Sequence, residues 1–218
     1  MVDIPKWAKA YLRPERVQLV EDAIRAAEGK TSGEIVPMIV RRSSTIGHVP
    51  VILACLLVTL FIVVDGPGWQ YELIGEHWAW YLVDTVLLLL LSGQLAKIPL
   101  LQRLLTASDD QAQQVDMRAQ IEFYQSNIHT TADATCVLLL VSLMEHRAVV
   151  LADEAINAKV PSETWNEVIG VTIDGIKKGH VGLGLTAAIE RCGDILATEF
   201  PIGENDVNEL RDTLIIRE

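Results

Sequence analysis

Two long apolar stretches in the first half of the chain constrain its fold more than any other feature. Residues 46–64 contain no Asp, Glu, Lys or Arg, and residues 78–95 contain one charged residue, Asp84. A membrane-spanning helix needs about 20 mainly apolar residues, so both stretches have a suitable length. The alternative is a pair of buried core helices, which is less favoured because core helices seldom remain apolar on every face. The pattern therefore predicts a two-helix transmembrane hairpin.

The residues that flank the two stretches predict their orientation. Arg41 and Arg42 precede the first stretch, and Lys97 and Arg103 follow the second, whereas the loop 65–77 has three acidic residues and no Lys or Arg. Basic residues near short spans favour the cytoplasmic side, so both termini and the soluble part are expected in the cytoplasm. The N-terminus has no apolar core of a signal peptide, and we expect no cleaved signal. Aromatic residues cluster near the loop, as in an interfacial belt: Trp69, Tyr71, Trp78, Trp80 and Tyr81.

Asp84 lies about 9 Å inside the second predicted span, counting 1.5 Å per residue from Trp78. A carboxylate at that depth is costly and often functional, so a proton or ion relay is one interpretation. The other is a hydrogen bond with Thr59, at a similar depth in the first span, or extension of the side chain toward the loop. The second interpretation is favoured because two spans offer a relay few partners.

The charge of the chain bounds its partners. The net charge is −11, and residues 96–218 carry nineteen acidic and ten basic residues, a net charge of −9. Such a surface argues against nucleic acid or anionic lipid as the partner of this region. The three cysteines are isolated, with no CxxC spacing, and the histidines form no HxH or HExxH motif. This excludes the familiar zinc and disulfide patterns and fits a reducing compartment.

The remaining sequence reads as alternating helices and strands around the predicted hairpin. A helix is expected from Pro14, followed by a strand at residues 34–40, whose Pro37 predicts an edge position or a bulge. After the hairpin, residues 98–105 form an amphipathic segment, and a helix begins at Ser108 and runs to about residue 127. The segment 135–143 is apolar without alternation, which predicts a strand covered on both faces. A second strand at 148–152 would pair with it.

Two further helices complete the predicted domain. Ser162 is placed to cap the first, which ends near Gly179, and the second is expected from about Gly184 to Phe200. The order of elements predicts an α/β fold, a Rossmann-like α/β/α sandwich with a mixed sheet, interrupted by the transmembrane hairpin. Its predicted parts are residues 1–45, the hairpin 46–96, and residues 97–218. The link between the first two strands is expected to be a right-handed crossover.

Enzyme signatures are absent from the sequence. There is no GxGxxG, GxxxxGK[ST] or GxSxG motif. The glycine-containing VGLGL at 181–185 follows a helix, so it is interpreted as a helix–helix turn. A group of acidic and amide residues could bind calcium or magnesium if the fold brought them together, although helix capping and a solvated surface are the favoured explanation. The group is Asp153, Glu154, Asp206, Asn208 and Glu209.

An ordered set of segments resembles the TPM domain family. The segments are TSGEIVPMIV, VLLLVSLMEHRAVVLADEAI, the Trp of SETW, GLTAAIERCGDILATEFP and NDVNEL. The resemblance implies a Rossmann-like sandwich. Together with the predicted hairpin, it leads us to expect a multi-pass protein of the bacterial inner membrane. Some family members are described as acid phosphatases, some bind calcium or other divalent ions, and others assist the assembly of membrane complexes. By position, the resemblance implies Asp153, Asp206 and Glu209 as metal ligands for calcium or magnesium.

Two functions follow as hypotheses. The first is a membrane-anchored protein without catalytic activity, whose TPM-like domain binds another membrane protein or assists its assembly. The second is a divalent-metal-dependent phosphatase in which the ion polarises a phosphoryl oxygen or activates water. The lipid bilayer is the expected environment, and nucleic acid is not expected as a partner. A transport or signalling role is the remaining alternative, and a transport pathway through two spans per chain would require a homo-oligomer.

Overall fold

The computed structural model describes residues 4–45, 47–75, 77–126, 128, 134–203 and 208–218. The chain divides into two compact units. The first, here called the sheet unit, comprises Met1–Ser43 and Ala112–Glu218. The second, here called the helical unit, comprises Ser44–Gln111.

The strands and helices follow the predicted order, but the chain also forms a helix at 66–74, a short helix at 154–157 and a fourth strand at the C-terminus, and the last helix begins earlier than predicted. The strands are β1 (Glu34–Val40), β2 (Cys136–Ser142), β3 (Arg147–Ala152) and β4 (Ile215–Arg217). The helices are α1 (Pro14–Glu28), α2 (Val49–Val63), α3 (Gly66–Ile74), α4 (Ala79–Leu95), α5 (Pro99–Leu105), α6 (Ser108–Gln125), α7 (Glu154–Asn157), α8 (Trp165–Lys177) and α9 (Val181–Glu199), with short 3₁₀ turns at Ala8–Ala10 and Ser162–Thr164.

The described strands form one open mixed sheet in the order β3-β2-β1-β4. β1 pairs in parallel with both β2 and β4, and β3 runs antiparallel to β2. The predicted mixed sheet is thus confirmed, as is the hairpin pairing of the second and third strands. All of α2 to α6 lies between β1 and β2 along the chain, so the connection between these parallel neighbours contains the helical unit.

The prediction that Pro37 places β1 at an edge or a bulge is wrong. The backbone N–H of Glu34 donates to Thr135, and Val40 accepts from Leu143, so even-numbered residues of β1 bond toward β2. In a parallel ladder the odd-numbered residues then face the other side, where β4 begins to pair only at Met38. Pro37 has no N–H to donate, and its nitrogen lies on the side of β1 where pairing with β4 has not yet begun. The internal strand therefore tolerates this proline.

Both faces of the sheet are covered, as the uninterrupted apolar run of β2 predicts. One face packs alternate residues such as Ile39 and Leu139 against α1, α8 and α9. The opposite face packs Met38 and Leu140 against the inner side of α6, which contributes Val115, Ala119 and Phe123. Every residue of β1 and β2 is buried, including the polar Glu34 and Ser142. The sheet unit is therefore layered, with helices on both sides of a buried sheet.

Glycines let the helices on one face approach each other closely. A Cβ added to Gly193 on α9 would lie 2.6 Å from the Cβ of Ala27 on α1, and one added to Gly182 would lie 2.8 Å from the Cβ of Arg16. The interpretation of residues 181–185 as a turn is wrong, because α9 already begins at Val181. The turn falls earlier, at Gly179, whose φ of 72° is in the left-handed region that favours glycine.

The helical unit contains α2 to α5. Among the described residues, no single helix is both long and apolar enough to cross a bilayer. Two consecutive pairs satisfy the length and composition together but are bent, α2 with α3 by 60° and α4 with α5 by 97°. α3 occupies the stretch predicted as a loop and begins with Pro67 in its first turn. The predicted bond between Asp84 and Thr59 is wrong, because Gln70 on α3 donates to Asp84 at 3.3 Å and Thr59 donates to the carbonyl of Cys55.

Candidate functional site: a carboxylate cavity in the sheet unit

A polar cavity of about 260 Å³ opens beside the first residue of β1. Glu28 ends α1 and Glu34 begins β1, so the turn between them brings two carboxylates to one place. Asn208 and Asp212 line the cavity from the C-terminal segment. Three carboxylates and one carboxamide thus converge on a cavity that no single sequence motif encodes.

The turn from α1 to β1 is held by Thr31, which is buried. Its hydroxyl donates to the carbonyl of Phe200 and accepts the backbone N–H of Gly33 at 3.1 Å. Gly33 is closely packed, because a Cβ there would lie 3.1 Å from a methyl group of Leu196, which would have to shift slightly. These contacts fix the positions from which Glu28 and Glu34 enter the cavity.

Glu34 is an unusual residue at the start of an apolar strand, with only 7% of its surface exposed. Its Oε1 accepts the backbone N–H of Glu209 at 2.9 Å, while Oε2 is buried and has no hydrogen-bond partner among the described residues. Burial raises the pKa of Glu34, and the nearby charges of Asp212 and Glu209 raise it further. Backbone hydrogen bonds from the C-terminal segment oppose these effects. Glu34 thus lines the polar cavity and keeps one buried oxygen without a hydrogen-bond partner among the described residues.

Glu28 has the most strongly raised pKa among the carboxyl groups of the cavity. Burial raises its pKa from the usual 4.5 to about 8, and the charges of Glu34 and Asp212 act in the same direction. Its Oε1 accepts the backbone N–H of Ile35 at 2.8 Å, which partly opposes the shift, and its Oε2 lies 3.4 Å from the amide nitrogen of Asn208. A carboxyl that exchanges its proton near neutral pH is suited to proton transfer.

Of the predicted ligands, Asp153 has a capping role. Its Oδ1 accepts the backbone N–H of Glu154 at 2.8 Å at the start of α7, and its own N–H donates to the carbonyl of Cys136 at 2.9 Å. Its Oδ2 is buried without a hydrogen-bond partner among the described residues. Asp153 follows β3. Burial is the main cause of the raised pKa of the Cys136 thiol, and the nearby charges of Glu34 and Asp153 raise it further. Asp153 and Glu34 therefore lie at the same end of the sheet.

The other two predicted ligands are Glu209 and Asp206. Glu209 is exposed and joins the cavity through its backbone bond to Glu34. Asp206 lies outside the described residues. Within the described part of the chain, no three His, Cys, Asp or Glu residues are grouped so that they could hold a metal ion. The metal-ligand role of Asp153, Asp206 and Glu209 stays a prediction.

Sequence reasoning missed Glu28, Glu34 and Asp212 as residues of a common cavity. Glu34 could have been recognised from the sequence, because it directly precedes six apolar residues in a predicted strand. Burying a carboxylate there is costly unless it has a function. Glu28 carried no such signal, because it ends an ordinary amphipathic helix. Asp212 is brought to the cavity by a C-terminal segment that was expected to be a polar tail.

A second buried polar group lies at the opposite end of β1 and β2. Glu145 accepts the Ser142 hydroxyl at 2.5 Å and the backbone N–H of Ser43 at 3.1 Å, and the two serine hydroxyls are 2.9 Å apart. The carboxyl ends of parallel strands are the usual ligand-binding edge of α/β sheets. Here, however, the three side chains bond to one another, and they hold the end of β1 at Ser43, where the first segment of the sheet unit ends.

The helical unit presents a different kind of surface. Many large apolar side chains of α2 and α4 are exposed, including Val51, Leu56, Leu60, Ile62, Val63, Leu82, Val86, Leu87, Leu89 and Leu90. Soluble monomers rarely expose contiguous apolar patches above a few hundred Å², and larger ones mark membrane or protein contacts. This surface is thus a second candidate for function.

Comparison with known proteins gives a fold relationship alone. No protein-family model and no curated protein matches the chain. The structure is similar to the NMR structure of BA42 protein from the psychrophilic bacterium Bizionia argentinensis sp. nov., with 21% sequence identity and a TM-score of 0.59. The match covers 94% of this chain and 95% of that chain. At this identity the likeness supports the shared fold and nothing further.

Proposed function

We propose that this protein is a membrane-anchored member of the TPM family whose Rossmann-like sheet unit binds another membrane protein or assists its assembly. The observation that carries the proposal is the exposed apolar surface of α2 and α4. Contact with bilayer lipid removes this apolar surface from water, and it does so without the cost of desolvating polar groups. The protein is then an inner-membrane protein of a bacterium with both termini in the cytoplasm.

Placement of the helical unit within the β1–β2 connection supports a partner in the membrane. The chain enters the helical unit after Ser43 and leaves it through α6, so both of its links to the sheet unit are short. A domain tethered twice meets membrane-bound partners at a far higher effective concentration than freely diffusing ones. The acidic sheet unit also repels anionic lipid, which favours a protein surface as its partner.

Crosslinking in native membranes tests this function directly. Photoreactive residues placed at exposed positions on α8 and α9 of the sheet unit should give a reproducible crosslink to one membrane protein. The same residues placed on the exposed, lipid-facing positions Leu87 and Leu90 provide the comparison for chance collisions. Equal yields to unrelated abundant membrane proteins from every position would contradict a specific partner.

A divalent-ion-dependent phosphatase is the second candidate, and the carboxylate cavity favours it. Glu28 has a pKa near 8, and Glu34 keeps a buried oxygen without a partner among the described residues. Asp153, Asp206 and Glu209 are the ligands that the family resemblance implies, with calcium or magnesium as the ion. A bound ion would supply charge stabilisation for a phosphoryl group, and Glu28 could hold or release a proton beside it.

Hydrolysis of a generic phosphate ester by the purified full chain tests the second candidate. Activity should require calcium, magnesium or manganese and fall at least about tenfold in Asp153→Asn, Asp206→Asn or Glu34→Gln. Glu190→Gln, at an exposed position on α9, serves as the matched control. Activity that is unchanged by all three substitutions, or that is absent with every ion, rules the site out.

A further inference from the structure

We propose that the helical unit fits a bilayer whose hydrocarbon core is thinner than the usual thickness of about 30 Å. The inference rests on the membrane anchoring proposed above and names the kind of lipid that the anchor prefers. It comes from the lengths of α2 and α4 and from the two bent helices that close their ends.

The apolar helices are short. α2 has 15 residues and α4 has 17, which at 1.5 Å per residue gives lengths of about 22 Å and about 25 Å. Both are shorter than an average hydrocarbon core by about 5 Å or more. Tilting a helix reduces the thickness it covers, so tilt increases the mismatch.

At one end, α5 prevents α4 from reaching further. It bends 97° away from α4, and Leu101 and Leu105 pack against the cluster formed by Val49 and Leu53 of α2 with Ala96. The outward side chains Leu100 and Leu104 are then 64% and 70% exposed. α5 is thus a short helix that lies across the end of a span, exposes leucines and has basic residues nearby. These features are typical of a helix that lies in the membrane interface.

At the other end, α3 closes the unit in a similar way. It bends 60° from α2 and is tied to α4 by the hydrogen bond from Gln70 to Asp84. With Gln70 turned inward, the aromatic rings of Trp69 and Tyr71 are exposed, as is Trp78 just before α4. Indole and phenol rings favour the interface between hydrocarbon and water. The two interfacial helices thus set the distance between the interfaces, and α2 and α4 span it.

A thicker bilayer has to thin around this unit, which makes insertion into it less favourable. The full chain, diluted from one detergent stock, should therefore partition more strongly into thin vesicles than into thick ones. Phosphatidylcholines with two monounsaturated chains of 14, 18 or 22 carbons provide the series. We expect at least about a threefold preference for the 14-carbon lipid over the 22-carbon lipid in co-flotation.

A lengthened variant keeps the test specific. Four leucines inserted after Val58 in α2 and four after Leu90 in α4 add about 6 Å to each helix. The preference should move to the 18-carbon or 22-carbon lipid. Equal partition of the wild-type chain among the three lipids, or the same preference in the lengthened variant, overturns the inference. Failure of the wild-type chain to float with any lipid instead contradicts the membrane anchoring on which the inference rests.

Discussion

Gly175 on α8 and Gly184 on α9 lie so close that a Cβ added to Gly175 would be 2.5 Å from the Cα of Gly184. The two helices meet backbone to backbone at this point. VGLGL, which contains Gly184, is thus a packing motif of the sheet unit and has no need of a bound phosphate.

A methyl group at this contact should destabilise the sheet unit. Gly184→Ala would have to separate α8 from α9, and overpacking of this kind costs about 1–3 kcal/mol. Gly170→Ala is the matched control, because it lies on α8 with nothing within 4 Å of the added Cβ. The control should stabilise by about 0.5–1 kcal/mol through helix propensity. Urea denaturation of the two variants measures the difference, and equal midpoints would contradict the close packing.

Glu122 on α6 should be important for stability because it is buried and holds two arginines. Arg118 lies 2.8 Å from its Oε1 and Arg217, on β4, lies 2.9 Å from its Oε2. Glu122→Gln would leave two partly exposed cations without their carboxylate, at a cost of about 2 kcal/mol.

An exposed ion pair provides the control for Glu122. Glu167 lies 2.7 Å from Arg191, and both side chains are largely solvated. Glu167→Gln should change the free energy of unfolding by less than about 0.5 kcal/mol. A Glu122→Gln variant that is as stable as Glu167→Gln in urea would show that the buried ion pair does not hold β4 to α6.

The raised pKa of Glu28 predicts a pH dependence of stability. Its folded pKa of about 8 lies above the usual 4.5, so the folded state binds this proton more tightly than the unfolded state. The stability that it contributes is complete below about pH 4.5 and is lost as the pH rises through about 8.

Glu28→Gln should remove that loss, since glutamine keeps an acceptor for the Ile35 N–H and does not ionise. The melting temperature of the wild-type chain should fall more between pH 5 and pH 9 than that of the variant. Glu190→Gln, with its exposed side chain, should follow the wild-type curve. Parallel curves for Glu28→Gln and wild type would contradict the burial of this carboxyl.

The mixed sheet and its covered faces could be predicted from the sequence because β2 is apolar without alternation and the helices have clear apolar stripes. β4 could not, because three residues next to a polar tail carry little signal until β1 offers them an edge. α3 was missed for a related reason: its residues look like a loop, and the contact between Gln70 and Asp84 exists only once α4 is in place. The cavity was missed because its carboxylates come from three separate segments.

Association with lipid in the absence of detergent tests the central claim most directly. The full chain should float with phospholipid vesicles and resist alkaline extraction. A variant with Leu56, Leu60, Leu87 and Leu90 replaced by Glu should remain in the dense fraction, because charged side chains on α2 and α4 make lipid contact costly. Replacement of Leu19 and Leu183, exposed on the sheet unit, by Glu should leave flotation unchanged. A wild-type chain that stays soluble and monomeric without detergent and does not float would contradict membrane anchoring.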